Sequence, residues 1–97
     1  MPKHKVLPPL TPRAVQIVNL VVNAVALGTH DNDAEVGVLA KQLGMSPARL
    51  ETTLHKLEGQ GWITLKRGFV YPTVEALQWQ DPQLKASEAR KLLRSLP

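Results

Sequence analysis

The chain has 97 residues, 43% of them hydrophobic and 21% charged, a folded composition with room for one domain and not for a second catalytic or sensory one. The absence of cysteine excludes disulfides, thiolate chemistry and a cysteine-ligated zinc site. Twelve Lys and Arg against eight Asp and Glu give a net charge of +4, which suits a polyanionic partner but also describes a solvated basic surface.

The opening residues 1–10 carry Lys3, His4 and Lys5, then Pro8 and Pro9, and read as a short extended basic arm. No unbroken apolar stretch follows, so neither a signal peptide nor a membrane span of roughly 20 residues is expected, and the expected location is cytoplasmic. Thr11-Pro12 predicts an N-cap and first helical position, and Gly28 closes a helix over 12–27. On a 3.6-residue period Gln16, Asn19 and Asn23 fall in one narrow stripe, and the rest of the helix surface is almost wholly Val, Leu, Ile and Ala. A helix this apolar needs cover on more than one side. In so small a chain its own core is expected to cover one side, leaving another for a second subunit; a helix wrapped by its own domain is the alternative.

Residues 29–33 predict a polar loop. Asp31, Asp33 and Glu35 alternate as at the start of a calcium loop, but the required glycine and downstream glutamate are missing. Asn32 with Glu35 reads as a capping box, with Asp33 an equally acceptable cap. His4, His30 and His55 have no ligand spacing, so no metal site is expected. A second helix is expected over 34–43, buried along Val36, Leu39, Ala40 and Leu43 and ended by Gly44. Ser46-Pro47 restarts a third helix at once, with Leu50, Leu54 and Leu57 as its buried stripe. The pair forms a helix-turn-helix.

Trp62–Lys66 and Phe69–Tyr71 are rich in β-formers around a tight turn at Arg67-Gly68, and predict a hairpin that Pro72 stops. Thr73 caps a short helix through Trp79. Asp81-Pro82 is expected to cap and start a last helix over 82–96, with Ala86, Ala89, Leu92, Leu93 and Leu96 on one face and Arg90, Lys91 and Arg94 on the other. Trp62 and Trp79 read as packing anchors, and the aromatics are too few for a platform that stacks single-stranded bases. The chain thus divides into an arm (1–10), a domain (11–80) and a C-terminal amphipathic helix (81–97) that either docks or dimerises. The fold class is mainly α with a small two-stranded β-hairpin.

The order helix, helix, turn, helix, hairpin describes a winged helix-turn-helix. Leu39–Ile63, reading LAKQLGMSPARLETTLHKLEGQGWI, resembles the DNA-binding segment of winged-helix regulators of the MarR and related types. Those run L-A-x-x-L-G-x-S, then a helix ending L-E-x-x-G, then the first wing strand. Leu39, Ala40, Leu43, Gly44, Ser46, Leu57, Glu58 and Gly61 occupy the matching places. Leu10-Thr11-Pro12-Arg13 is similar to the start of LexA-type N-terminal domains. The resemblance covers about residues 11–77 and implies that 46–60 is a recognition helix lying in the major groove.

The residues themselves bear on that implication. With Leu50, Leu54 and Leu57 inward, Ala48, Arg49, Thr52, His55 and Lys56 point outward. Arg49 suits paired hydrogen bonds to guanine, and Thr52 suits a base edge or a phosphate. Ser46, Pro47 and the first free N–H groups open the helix where a phosphate is held, and Lys56 suits the backbone. Lys66 and Arg67 at the wing tip suit a narrow minor groove or its phosphates, or simply solubilise a loop. Lys3, Lys5 and Arg13 are further candidates for phosphate contact. Glu51, on the flank, repels phosphate unless it accepts from cytosine or pairs with His55.

No Gly-rich phosphate loop, nucleophile triad, carboxylate pair or metal cluster assembles, so a non-enzyme without cofactor is expected. The reading is a small dimeric DNA-binding protein, a transcriptional regulator using helix 46–60 and wing 62–72. Its dimer is expected through helix 12–27 and possibly helix 82–96. Alternatives are a winged-helix protein adaptor, or a phage or plasmid replication or partition factor.

Overall fold

The computed structural model describes residues 7–96. Six helices and one hairpin follow in order: α1 (Pro12–Leu27), α2 (His30–Asp33), α3 (Val36–Leu43), α4 (Pro47–Gln60), β1 (Ile63–Lys66), β2 (Phe69–Pro72), α5 (Val74–Gln80) and α6 (Ala86–Arg94). The molecule is therefore mainly helical with a two-stranded antiparallel hairpin, as the fold class expected. No helix among the described residues is long and apolar enough to cross a membrane.

The local signals act where they were read. Thr11 Oγ1 accepts the Ala14 N–H at 3.2 Å, and Ser46 Oγ accepts the Arg49 N–H at 3.3 Å. Thr73 Oγ1 accepts the Ala76 N–H at 3.1 Å while donating to the Gly61 carbonyl at 2.7 Å, which pins the start of α5 to the end of α4. Gly28 and Gly44 end α1 and α3 at φ 75° and 66°, a region that costs a glycine little and other residues more.

Three stretches depart from the sequence reading. The first is 29–35, expected as a loop leading directly into a helix at Ala34. Residues 30–33 instead make a single helical turn, α2, and α3 starts only at Val36. The cause is backbone pairing with β2. The Val70 N–H donates to the Ala34 carbonyl and the Val36 N–H donates to the Gly68 carbonyl, both at 2.9 Å, with Glu35 opposite Phe69. Glu35 is held extended at the α3 N-cap, without a side-chain cap bond, so the expected capping box with Asn32 does not form.

The second is the last helix, expected over 82–96 and observed over 86–94. Asp81 takes the Gln83 N–H on its side chain and the Leu84 N–H on its carbonyl, making a turn in place of a helix start. Gln78 Nε2 donates to the Leu84 carbonyl and fixes that turn. The chain becomes helical only after Lys85, whose N–H donates to Glu88 Oε1 at 3.2 Å. Of the five residues expected to share one apolar face, Ala89 is fully buried while Leu92 is 40% exposed.

The third is the cover on α1. Ile17, Val18 and Val21 are fully buried, and Ala14, Val22, Ala24 and Val25 nearly so. They pack against α2, α3, β2 and α5 of the same chain. Gln80 Nε2 closes over the polar stripe, donating to Asn19 Oδ1 at 2.8 Å and to Asn23 Oδ1 at 3.3 Å. The domain itself wraps the helix, and the premise that it covers one side alone is corrected. Among the large apolar residues of α1, Leu27 at its end stands clear at 76% exposed, while Gln16 and Asn23 of the polar stripe also face outward.

One core joins these elements, built on Ile17, Val18, Val21, Leu39, Leu50, Leu54, Ile63 and Val70 and reaching Ala89 of α6. Trp62 is its aromatic anchor, 4% exposed and edge-on to Trp79 at 5.6 Å. Its Nε1–H donates to the Pro8 carbonyl at 3.1 Å, and Leu7 and Leu10 pack on the core. The last part of the expected free arm is therefore docked, while residues 1–6 lie outside the described residues.

Self-coverage of α1 has a direct energetic consequence. Ile17→Ala is expected to destabilise by about 2–5 kcal/mol, whereas Leu27→Ala changes stability by no more than about 0.5 kcal/mol. Urea unfolding of both variants checks this, and comparable costs at the two positions would contradict it.

Candidate nucleic-acid interface

The buried stripe of α4 fixes what its other side presents. Leu50, Leu54 and Leu57 are 0–3% exposed, which turns Ala48, Arg49, Glu51, Thr52, His55 and Lys56 outward. Ser46 and Pro47, exposed as well, open the helix at the same end. Seven of the nine candidates, Ser46, Pro47, Ala48, Arg49, Thr52, His55 and Lys56, thus lie exposed on one element. Thr52 Oγ1 donates to the Ala48 carbonyl at 3.1 Å, so its hydroxyl is directed along the helix and its oxygen still has capacity to accept. Glu51 is exposed beside this face, so the surface is mixed in charge.

Lys66 and Arg67 are exposed at the hairpin tip. The pairing Lys66–Phe69 leaves two central residues, Arg67 at φ 55° and Gly68 at φ 80°, as in a type I′ turn. Positive φ is ordinary for glycine and unfavourable for arginine by about 1 kcal/mol. The tip does not project freely, because Gly68 accepts the Val36 N–H and holds it against the start of α3.

Two side chains that the sequence reading left without a structural role organise this surface. Glu58 Oε2 accepts the Leu65 N–H at 2.8 Å. That N–H lies on the outer edge of β1, away from β2, so a carboxylate of α4 binds the hairpin edge and sets the angle between helix and hairpin. The match of Glu58 to the L-E-x-x-G pattern was the available signal. Arg13, a candidate for phosphate contact, instead donates through Nη1 to the Leu43 carbonyl at 3.1 Å, closing the end of α3. Lys3 and Lys5 lie outside the described residues. A trough of about 320 Å³ runs between the start of α1 and α4, bounded by Thr52, Thr53, Lys56 and Gln60 on the α4 side.

His30, for which the sequence predicts no role beyond the lack of metal-ligand spacing, is 2% exposed beneath the hairpin, with Nε2 2.8 Å from the Val70 carbonyl. Nothing local in the sequence signals this burial, which joins residues forty positions apart. Among the described residues no group of three or more His, Asp or Glu gathers as metal ligands would.

No family model, curated protein or solved structure matches the chain.

The strained tip separates stability from surface chemistry. Arg67→Asn replaces the turn by Asn-Gly, the favoured pair for this turn, and is expected to stabilise the fold by about 0.5–1 kcal/mol. Chemical denaturation reads the gain, and a loss of stability would show that the Arg67 side chain contributes more than its backbone costs.

Proposed function

We propose that this protein is a small winged-helix DNA-binding protein acting as a transcriptional regulator. The observation that carries the reading is the exposed face of α4, where Arg49, Thr52, His55 and Lys56 stand outward from a fully buried leucine stripe. Three features support it. The short turn at Gly44–Ser46 joins α3 to α4 as in a helix-turn-helix. Glu35 pairs with β2 on the edge opposite β1, giving the hairpin a third partner between the first helices and α3. Glu58 ties the hairpin to α4, so helix and wing act as one body on a duplex.

In this reading α4 enters the major groove with its N-terminal half foremost. Arg49 donates two parallel hydrogen bonds to guanine O6 and N7, and Thr52 reaches a neighbouring base edge or phosphate. Ser46, Pro47 and Ala48 bring the positive end of the helix to a phosphate, and His55 and Lys56 follow the backbone. Lys66 and Arg67 take minor-groove or phosphate contacts over few base pairs, since the wing is short.

The proposal includes a homodimer whose two α4 helices meet half-sites roughly 34 Å apart. Its proposed apolar contact uses the ends of α1 and α6, and what supports it is the exposure of Leu27 and Leu92, with Leu92 on a groove also lined by Val22, Val25, Leu77 and Leu84.

Fluorescence anisotropy on genomic and random duplexes at two salt concentrations tests the reading. Affinity is expected to fall steeply with salt. Arg49→Ala is expected to cost about 1–3 kcal/mol on a specific site and relax its sequence preference, and Lys56→Ala to reduce the salt slope by about one. Micromolar or weaker binding that ignores both substitutions overturns the reading in favour of a protein-binding adaptor. Light scattering tests the dimer separately, and a monomeric mass at every concentration removes it.

A further inference from the structure

The last helix is held from one side. Ala89 is fully buried, Leu84 and Leu93 pack on the core, and the bond from Gln78 Nε2 to the Leu84 carbonyl fixes the approach to α6. At the helical period this turns Arg90, Lys91 and Arg94 outward within one sector of about 100°, and all three are exposed. Leu92 falls outside that sector, beside the groove that it lines with α1 and α5.

The charge on this helix is concentrated and unanswered. Residues 85–94 carry Lys85, Arg90, Lys91 and Arg94 against Glu88 alone, a net +3 in ten residues beside +4 for the whole chain. Glu88 Oε1 accepts the Lys85 N–H at 3.2 Å and is engaged there, at the start of the helix. Among the described residues no carboxylate pairs with Arg90, Lys91 or Arg94. Cations at a helix C-terminus offset its dipole, which accounts for Lys91 and Arg94 in the last turn and not for Arg90.

The partner that fits is a polyanion that needs no pocket. A peptide draws its affinity from an apolar anchor in a pocket, and only Ser87 shares the sector of these three cations. An anionic membrane surface takes up the apolar face of a basic helix, and here that face is packed on the core. Duplex DNA carries one negative charge per about 1.7 Å of its axis and asks only for cations at its phosphates.

The position of α6 sets this surface apart from that of α4. The trough beside α4 is bounded by Thr11, Arg13 and Ala14 at the start of α1, whereas Leu92 of α6 shares its groove with Val22, Val25 and Ala26 near the end of α1. Ala14 and Val25 are roughly 16 Å apart along the helix axis. We infer that Arg90, Lys91 and Arg94 form a second surface that binds the phosphate backbone of duplex DNA without regard to base sequence. Arg90 and Arg94, one turn apart on the same edge, and Lys91 beside them each neutralise a phosphate. The surface does not depend on α4 entering a groove.

The test titrates the full chain with a random-sequence DNA duplex, following the backbone amide resonances of 86–94, and measures affinity at several salt concentrations. Both are repeated in a chain carrying Arg49→Ala and Lys56→Ala, so that a failure of the α4 reading leaves the outcome for α6 readable. In either background the resonances of 86–94 are expected to shift. Arg90→Gln, Lys91→Gln and Arg94→Gln together, with circular dichroism unchanged, are expected to lower the salt slope by about two to three, at about 0.9 per phosphate. Should that triple variant lose its fold, each single substitution is expected to lower the slope by about one. Arg90→Lys with Arg94→Lys is expected to keep the slope, since a phosphate accepts either cation. Unshifted resonances, a slope that survives the substitutions, displacement of the duplex by polyglutamate at equal charge, or tighter binding to vesicles of anionic phospholipid overturns the inference.

Discussion

The arrangement of this molecule depends on β2 being hydrogen-bonded along both edges. One edge pairs with β1, and the other takes Ala34 and Val36 through two bonds of 2.9 Å. Each such bond contributes about 0.5–1.5 kcal/mol net, but their geometric consequence is larger than their energy. They stop the chain from continuing helically between α2 and α3, draw His30 beneath Val70, and place the start of α3 at the hairpin tip. From α3 the turn at Gly44–Ser46 directs α4, and Glu58 returns from α4 to the free edge of β1. The relation between α4 and the hairpin is thus closed into a ring of backbone and carboxylate contacts.

That ring explains which parts of the fold were legible in the sequence. Caps are local chemistry, and Thr11-Pro12, Ser46-Pro47, Thr73, Gly28 and Gly44 were readable because each acts on residues within one turn of itself. The exposed set on α4 was readable for a related reason, since three leucines on a 3.6-residue period leave one possible opposite face. The stretches 30–35 and 81–85 were misread because their conformation is decided elsewhere. Ala34 and Glu35 suit a helix by composition, and only pairing with a strand more than thirty positions away takes them out of one, with Glu35 extended. Asp81-Pro82 is a sound helix start until Gln78 claims the Leu84 carbonyl. The burial of His30 was invisible for the same reason, because it meets Val70 only once the hairpin has paired.

Helix α1 shows how a size argument misleads. Its apolar circumference was read against the area a small domain has to spare, which made a second subunit the natural cover. The chain solves the problem by packing α2, α3, β2 and α5 on it, and Gln80 reaches Asn19 and Asn23 of its polar stripe. The large apolar side chains left exposed are Leu27 on α1, Trp79 on α5 and Leu92 on α6. Single exposed apolar residues are normal on protein surfaces, so the structural argument for a dimer narrows from a whole helix to a few side chains.

Arg67 shows what a two-residue turn costs. Its backbone occupies a conformation that asparagine or glycine adopts more readily, yet the position holds a long cation at the exposed hairpin tip beside Lys66. The bond from the Val36 N–H to the Gly68 carbonyl fixes that tip against the start of α3, so the cation is carried on a held turn and not on a loose loop. The strain of about 1 kcal/mol is the structural cost of keeping a charge at that point, and it is a cost that Glu58 and the pairing of β2 on both edges are able to absorb.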